Sequence, residues 1–582
     1  MSYLLKQKAW KLLSEEKSCL GKRYTHEEVK IVLVFPNTYS LGMSNLGFQT
    51  IFNLLNQRDD IHCERAFLPE KTEITEYIRT NTSLFSLESQ TPLKDFDIIA
   101  FSISFELDYL NVLRILTLAK LPILSEERDI SPLIISGGAT CFLNPEPLVD
   151  FIDLFILGEG EEVLPDFIEE YKKEKNSSKN SILDNLSKVK GIYVPSLFNI
   201  QYTQEGKILK IEGKKNLLKR VSLKDINNSC SYSSIITNNT ELKNQFLLEI
   251  TRGCTKGCRF CLTGSTYRPF RFKEKEVILF QAKSALKYTN KIGLVGPNIC
   301  DHPEIENICQ ELACMGFKIS TSSLQSISLS KELIHSFSQN TITIAPECGN
   351  DKLRFSLNKN ITNEDIIDCI RELKSISKLK LYFLIGLPQE SMEDIEALIS
   401  FVNKIKKLQP SRKIILSINP FIPKPHTALQ WQDMEDENIL NKKISLIKNR
   451  LKKSIKISIE SLRLSILQGI LSRGDRRLGK LLVALQKTSN IKQAFKEIDL
   501  LYNFYRFRNF GDKEILPWDH LDCGPNKEFL LKEEERYFKK EISKGCPGEC
   551  NFCGICSPTS TKSSFRLFKI SQLASINHTV LG

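Results

Sequence analysis

Uninterrupted apolar and β-branched runs punctuate the first third of the chain. IVLVF (31–35), DIIAFSIS (97–104), LIIS (133–136) and IDLFIL (152–157) lack polar alternation, the pattern of strands buried on both faces. Phe48, Ile51, Phe52 and Leu55 recur at i, i+3, i+4 and i+7 and predict an amphipathic helix after the first strand. Strand and helix signals therefore alternate over residues 28–172, which predicts an α/β domain with an open, parallel, doubly wound sheet, preceded by a helical segment at 1–27. Such sheets bind ligands beyond the carboxyl ends of their strands. There this sequence has small, glycine-bearing turns: PNTYSLGMSNLG (36–47), GGATCFLN (137–144) and GEGEE (158–162).

Residues 172–188 are rich in Lys, Asn and Ser and predict a loop, which opens a linker over 173–245. Within it, residues 191–211 alternate around a Glu-Gly turn and predict a small hairpin. From 246 to 430 six strand signals (FLLEI, IGLVG, ISTSS, ITIAP, LKLYFLIG, IILSI) alternate with helices, the pattern of an open (β/α)6 partial barrel. Beyond Trp431 the pattern turns helical and basic as far as 545. Ile444, Ile447, Leu451, Ile455, Ile459, Leu462 and Ile466, spaced by three and four, predict one amphipathic helix with a basic outer face.

Charge sharpens that last point. The chain of 582 residues carries a formal net charge of +12, and twelve Lys and Arg against two acids lie between Asn441 and Lys480. Such a stretch is either a solvated face or a site for an anionic partner such as RNA or a cofactor phosphate. Apolar residues at 41% and charged residues at 26% exclude fibrous, disordered and membrane-embedded classes. The length suits several domains. No run approaches the about 20 apolar residues of a membrane span, so a cytoplasmic protein is expected.

Seventeen cysteines in a long chain of that kind point to metal or catalytic chemistry rather than a disulfide scaffold. Seven fall into two clusters. In EITRGCTKGCRFCLTGSTYRP (249–269), Cys254, Cys258 and Cys261 follow a predicted strand at CxxxCxxC spacing. Three thiolates do not complete a tetrahedral zinc site. They suit a 4Fe-4S cluster with one iron left open to a small bidentate ligand, with Gly253, Gly257 and Phe260 placed to bring backbone N–H groups to the sulfurs and to shield them.

This stretch resembles the radical S-adenosylmethionine (radical SAM) enzymes, in which an aromatic residue precedes the third cysteine as Phe260 does here. The resemblance implies that the open iron binds S-adenosylmethionine and that one-electron cleavage yields a 5′-deoxyadenosyl radical. It also implies cofactor contacts at Phe260, at Ser323 in TSSLQ (321–325), at Glu347 in TIAPECG (343–349) and at Gly386 in FLIGLPQE (383–390). Gln325 stands where similar proteins carry a basic residue. In NPFIPKPHTALQ (419–430), His426 reads as a packed histidine. GGATCFLNPE and GEGEE resemble the cobalamin-binding domain preceding the barrel in one large class of these enzymes, which implies cobalamin at Gly137, Gly138, Gly158 and Gly160 without a histidine ligand to cobalt. SRGDRRLG (472–479), LPWDHLDCG (516–524) and the terminal cysteines complete a likeness to a bacterial family of that architecture, which names no substrate.

KGCPGECNFCGICSP sets Cys546, Cys550, Cys553 and Cys556 at CxxxCxxCxxC, four thiolates for a second iron–sulfur cluster or a structural zinc. The expectation is thus a radical SAM enzyme with cobalamin that methylates or rearranges its substrate, served by a one-electron reductant such as flavodoxin or ferredoxin. An RNA or protein methylthiotransferase relative is one alternative. It would need a further three-cysteine site in the N-terminal domain, where only Cys19, Cys63 and Cys141 are available. A non-catalytic iron–sulfur protein is the other.

Overall fold

The computed structural model describes residues 2–18, 28–129, 131–214, 217–321, 336–338, 340–373, 376–451, 455–546, 550 and 552–556. The expected contacts at Ser323 and Gln325, and Cys19, lie outside them.

The apolar runs of the first third form strands β1 (Val29–Phe35), β3 (Ile98–Ser102), β4 (Leu133–Gly137) and β5 (Leu154–Ile156). Two more join them, β2 (Ile61–Phe67) and β6 (Ile192–Tyr193). The sheet order is β2-β1-β3-β4-β5-β6, parallel throughout except for β6. Strand β2, IHCERAF, has no apolar run because its centre buries charge: Arg65 pairs with Glu16 at 2.7 Å and Glu88 at 2.6 Å, and Glu64 with His62 at 2.7 Å. The expected loop over 172–188 is instead the end of helix Gly160–Glu174 and a second helix, Lys179–Leu186, which buries Ile182, Leu183 and Leu186. Phe198–Tyr202 and Ile208–Gly213 form an antiparallel hairpin.

The second α/β unit contains two parallel sheets. One is β7 (Phe246–Glu249), β8 (Lys291–Val295) and β9 (Lys318–Thr321). The other is β10 (Thr341–Glu347), β11 (Lys378–Ile385), β12 (Lys413–Pro420) and β13 (Lys456–Ile459). Strand β13 overturns the single basic helix. The segment is helix Glu437–Leu451, then β13, then helix Leu462–Arg473. Nor are its cations one solvated face. Lys443 is buried against Glu390 and Glu435, Arg476 reaches Glu146, and Arg477 is paired with Asp475.

The helices after residue 462 turn back onto the first domain. Leu467, Ile470, Leu471, Leu478, Leu481 and Leu485 share one apolar core with strands β1 to β5, whereas helix Glu437–Leu451 closes the core of the second unit. The seam uses the segments singled out by sequence. Asn144 donates to the carbonyls of Ser472 and Gly474, Glu146 accepts from Arg476 and Tyr193, and the Trp518 indole donates to Gln430. Among the described residues no helix is long and apolar enough to cross a membrane.

Candidate functional site

The CxxxCxxC segment is a closed excursion from the end of β7. Thr251–Arg252 pairs antiparallel with Arg271–Phe272, so residues 253–270 leave and return at one point. Gly253 makes the exit with φ +81°, and a Cβ there would lie 2.5 Å from the Tyr267 carbonyl and 2.8 Å from that of Pro269. Only glycine fits both constraints. Cys261 caps helix Leu262–Thr266 by accepting from the Gly264 N–H at 3.5 Å.

The three thiols lie within one another's electrostatic reach. Burial pushes Cys254 up to about 11 and Cys258 up to about 12, and Cys261 is raised by the same cause. Metal loading here must therefore displace protons. Among the described residues no three His, Cys, Asp or Glu side chains close around a single ion. Three thiols within one another's reach suit a cluster, in which each binds a different iron. Backbone hydrogen bonds reach the Cys254 sulfur from Lys256 and the Cys261 sulfur from Gly264 and Thr263.

Glu347 and Lys359 stand beside these thiols. Glu347 ends β10 with φ +64°, and Lys359 Nζ holds its carboxylate at 2.9 Å while also donating to the Ala345 carbonyl. Both charges act on Cys258 and Cys261. Burial works to neutralise Lys359, but Glu347 and then Cys258 outweigh it, and its pKa is raised. Phe260 packs in a small apolar cluster with Cys348, Leu387, Phe421 and Tyr537. That cluster brings together the ends of β10, β11 and β12 that sequence had selected separately. Gly386 lies in the turn after β11, where its N–H donates to Glu390 at 2.6 Å. Burial raises the Glu390 carboxyl to about 7 despite Lys443.

His426 is a packed residue. It is buried, its imidazole meets the Leu143 carbonyl at 3.2 Å, and burial lowers its pKa to about 4.

Three of the four glycines in the first domain's turns are packed closely by the chain itself. A Cβ at Gly138 would run into the Ile103 backbone, at Gly158 into the Val221 backbone, and at Gly160 into Ile51 at 2.5 Å, while Gly137 has ordinary clearance. Their neighbour Glu159 has another use. It accepts from Arg252 at 2.7 Å and from Arg271 at 2.8 Å, with Arg220 at 3.7 Å, while Glu161 accepts from Arg252 at 2.8 Å. Burial opposes its ionisation, but Arg271, Arg252 and Arg220 win and lower the carboxyl to about 2. Arg252 lies two residues before Cys254, so this hub anchors the cysteine loop to the first domain.

Sequence reasoning also missed the turn at 356–359. The Leu357 and Ser356 carbonyls accept from Arg259, and Asn358 Nδ2 donates to the Lys256 and Gly257 carbonyls. Its one signal was Arg259, a charge inside the cysteine motif that needs partners once buried.

Two family models match this chain. "Radical SAM proteins, N-terminal" covers residues 47–195 and "Radical SAM superfamily" covers residues 248–402, including the three cysteines. The chain belongs to the radical SAM superfamily. A protein of Methanocaldococcus jannaschii described as uncharacterized is 30% identical over 499 residues, 84% of this chain and 98% of its own length. A tRNA-2-methylthio-N(6)-dimethylallyladenosine synthase of Sulfurimonas denitrificans is 23% identical over 224 residues, 35% of this chain and 50% of that protein. Among solved structures, SuiB of Streptococcus suis bound to S-adenosylmethionine has a TM-score of 0.28 and 16% identity, with 38% of this chain covering 51% of that one. The chain thus spans about half the length of that synthase and of that solved structure.

Proposed function

We propose that the chain cleaves S-adenosylmethionine at a 4Fe-4S cluster held by Cys254, Cys258 and Cys261. The observation that carries this reading is the loop itself: three mutually sensed thiols at the carboxyl end of β7, beside the Glu347–Lys359 pair. The chemistry such a cluster supplies is one-electron cleavage of the sulfonium, giving methionine and a 5′-deoxyadenosyl radical. The protein's own part is positioning and charge. The three thiols lose their protons and hold three irons. The Lys359 ammonium offsets part of the added negative charge and fixes Glu347, whose second carboxylate oxygen is the candidate acceptor for the ribose or amino group of S-adenosylmethionine. Phe260 and its apolar neighbours keep water from the sulfur side. A one-electron protein donor of the flavodoxin or ferredoxin class completes the system, and the product class is methylation or rearrangement of a substrate carbon. Replacing Cys258 with Ala abolishes 5′-deoxyadenosine release on this reading; retained release defeats it.

RNA methylthiolation is a second reading, favoured by the similarity to the tRNA-modifying synthases. Against it, Cys63 lies on β2 and Cys141 follows β4, with β1 and β3 between. Three strand spacings separate β2 from β4 by about 14 Å. Both cysteines are also buried in the sheet's core.

A further inference from the structure

The segment that carries the last four cysteines lies against the first cysteine loop. The Cys546 N–H donates to the Thr255 carbonyl at 2.6 Å, joining the two motifs one residue beyond Cys254. Gly545 has no room for a Cβ, which would collide with that same carbonyl. Two residues earlier, the Ser543 N–H donates at 2.7 Å to Asn358, whose amide holds Lys256 and Gly257. The Ser543 hydroxyl bonds Glu533, and Glu533 pairs at 3.0 Å with Arg259, which is fully buried between Cys258 and Cys261. Helix Lys527–Lys539 and the strand of chain after it thus brace the first loop from Cys254 to Arg259.

The four thiols form a site of their own. Cys556 lies within electrostatic reach of Cys553, Cys546 and Cys550, and a backbone hydrogen bond from Cys550 meets its sulfur. Cys546 and Cys553 are buried, while Cys550 and Cys556 are partly open. The Cys553 carbonyl accepts from Asn526, the N-cap of the bracing helix, so the site is fastened to that helix at its start as well. Cys556 thus reaches each of the other three thiols. Four thiolates at this spacing suit a cluster, with one thiolate per iron.

We propose that Cys546, Cys550, Cys553 and Cys556 hold a second iron–sulfur cluster, and that its assembly locks the C-terminal segment onto the first cysteine loop, so that losing the second cluster loosens the first. The lock acts through the Thr255, Asn358 and Arg259 contacts. It does not depend on what the first cluster does with S-adenosylmethionine.

The test uses the full chain, reconstituted anaerobically with iron and sulfide and then counted for iron, sulfide and zinc. The expected result is about eight irons per chain, about four in a Cys254→Ala/Cys258→Ala/Cys261→Ala variant, and about four in Cys550→Ala/Cys556→Ala. The triple variant reports on the second site whether or not the first cleaves S-adenosylmethionine. About four irons with one zinc in the wild type, or no iron in the triple variant, overturns the second cluster. Coupling is read as the rate at which an iron chelator strips the first site, expected to rise at least several-fold in Cys550→Ala/Cys556→Ala. Gly545→Ala supplies the check that does not remove a ligand. It keeps all seven cysteines, holds about eight irons, and is expected to release first-site iron faster because its Cβ displaces the Thr255 contact. Wild-type stripping rates in both variants, each folded by circular dichroism, overturn the lock.

Discussion

Glu159→Gln tests whether charge holds the first domain to the cysteine loop. Glu159 is 4% exposed and faces Arg252, Arg271 and Arg220, and it also accepts the Leu223 N–H at 3.0 Å. Its carboxyl lies at about 2 instead of 4.5. At about 1.4 kcal/mol per pH unit, the ionised form contributes about 3 kcal/mol to the folded state. Because the folded pKa is the lower one, this contribution is complete above about pH 4.5 and is lost as pH falls toward about 2. Glutamine keeps the shape and removes the charge. Urea unfolding followed by circular dichroism at pH 7 is therefore expected to show the variant about 3 kcal/mol less stable in the transition that separates the two units, and the gap to narrow to roughly half at pH 3. A gap under about 1 kcal/mol at pH 7, or one unchanged at pH 3, refutes the reasoning.

Two further substitutions address the loop itself. Gly253→Ala places a Cβ against two carbonyls at positive φ, a strain of about 1–3 kcal/mol or more, and is expected to lower first-site iron while leaving the C-terminal site loaded; equal occupancy of both sites contradicts that geometry. Lys359→Met removes the positive charge beside Cys258 and Cys261, so the first cluster is expected to become harder to reduce. A redox titration read by electron paramagnetic resonance checks this, and an unchanged or higher potential speaks against the electrostatic role.

How far the sequence led depended on whether the signal was local. β1, β3 and β4 were legible because strands buried on both faces read as apolar runs. β2 was hidden because Glu64 and Arg65 are buried in ion pairs, which looks polar from sequence. β13 was misread because Ile455 and Ile459 are four apart, a spacing that strand and helix periods share, while the KISI alternation between them was the better signal. Cys254, Cys258 and Cys261 could be named from spacing alone because their chemistry demands proximity in the chain. Glu159 with Arg252, Asn358 with Lys256, and Cys546 with Thr255 could not, since each pair joins segments about a hundred or more residues apart. The glycines of the first domain read as special backbone positions, and three of them, Gly138, Gly158 and Gly160, pack closely on Ile103, Val221 and Ile51.

The most direct measurement of the central claim is 5′-deoxyadenosine formation by the anaerobically reconstituted full chain with S-adenosylmethionine and a one-electron reductant, run beside Cys258→Ala. The account predicts 5′-deoxyadenosine and methionine in equal amounts from the wild type and neither above background from the variant. Equal release from both proteins, or none from a wild type whose first site is loaded with iron, would contradict it.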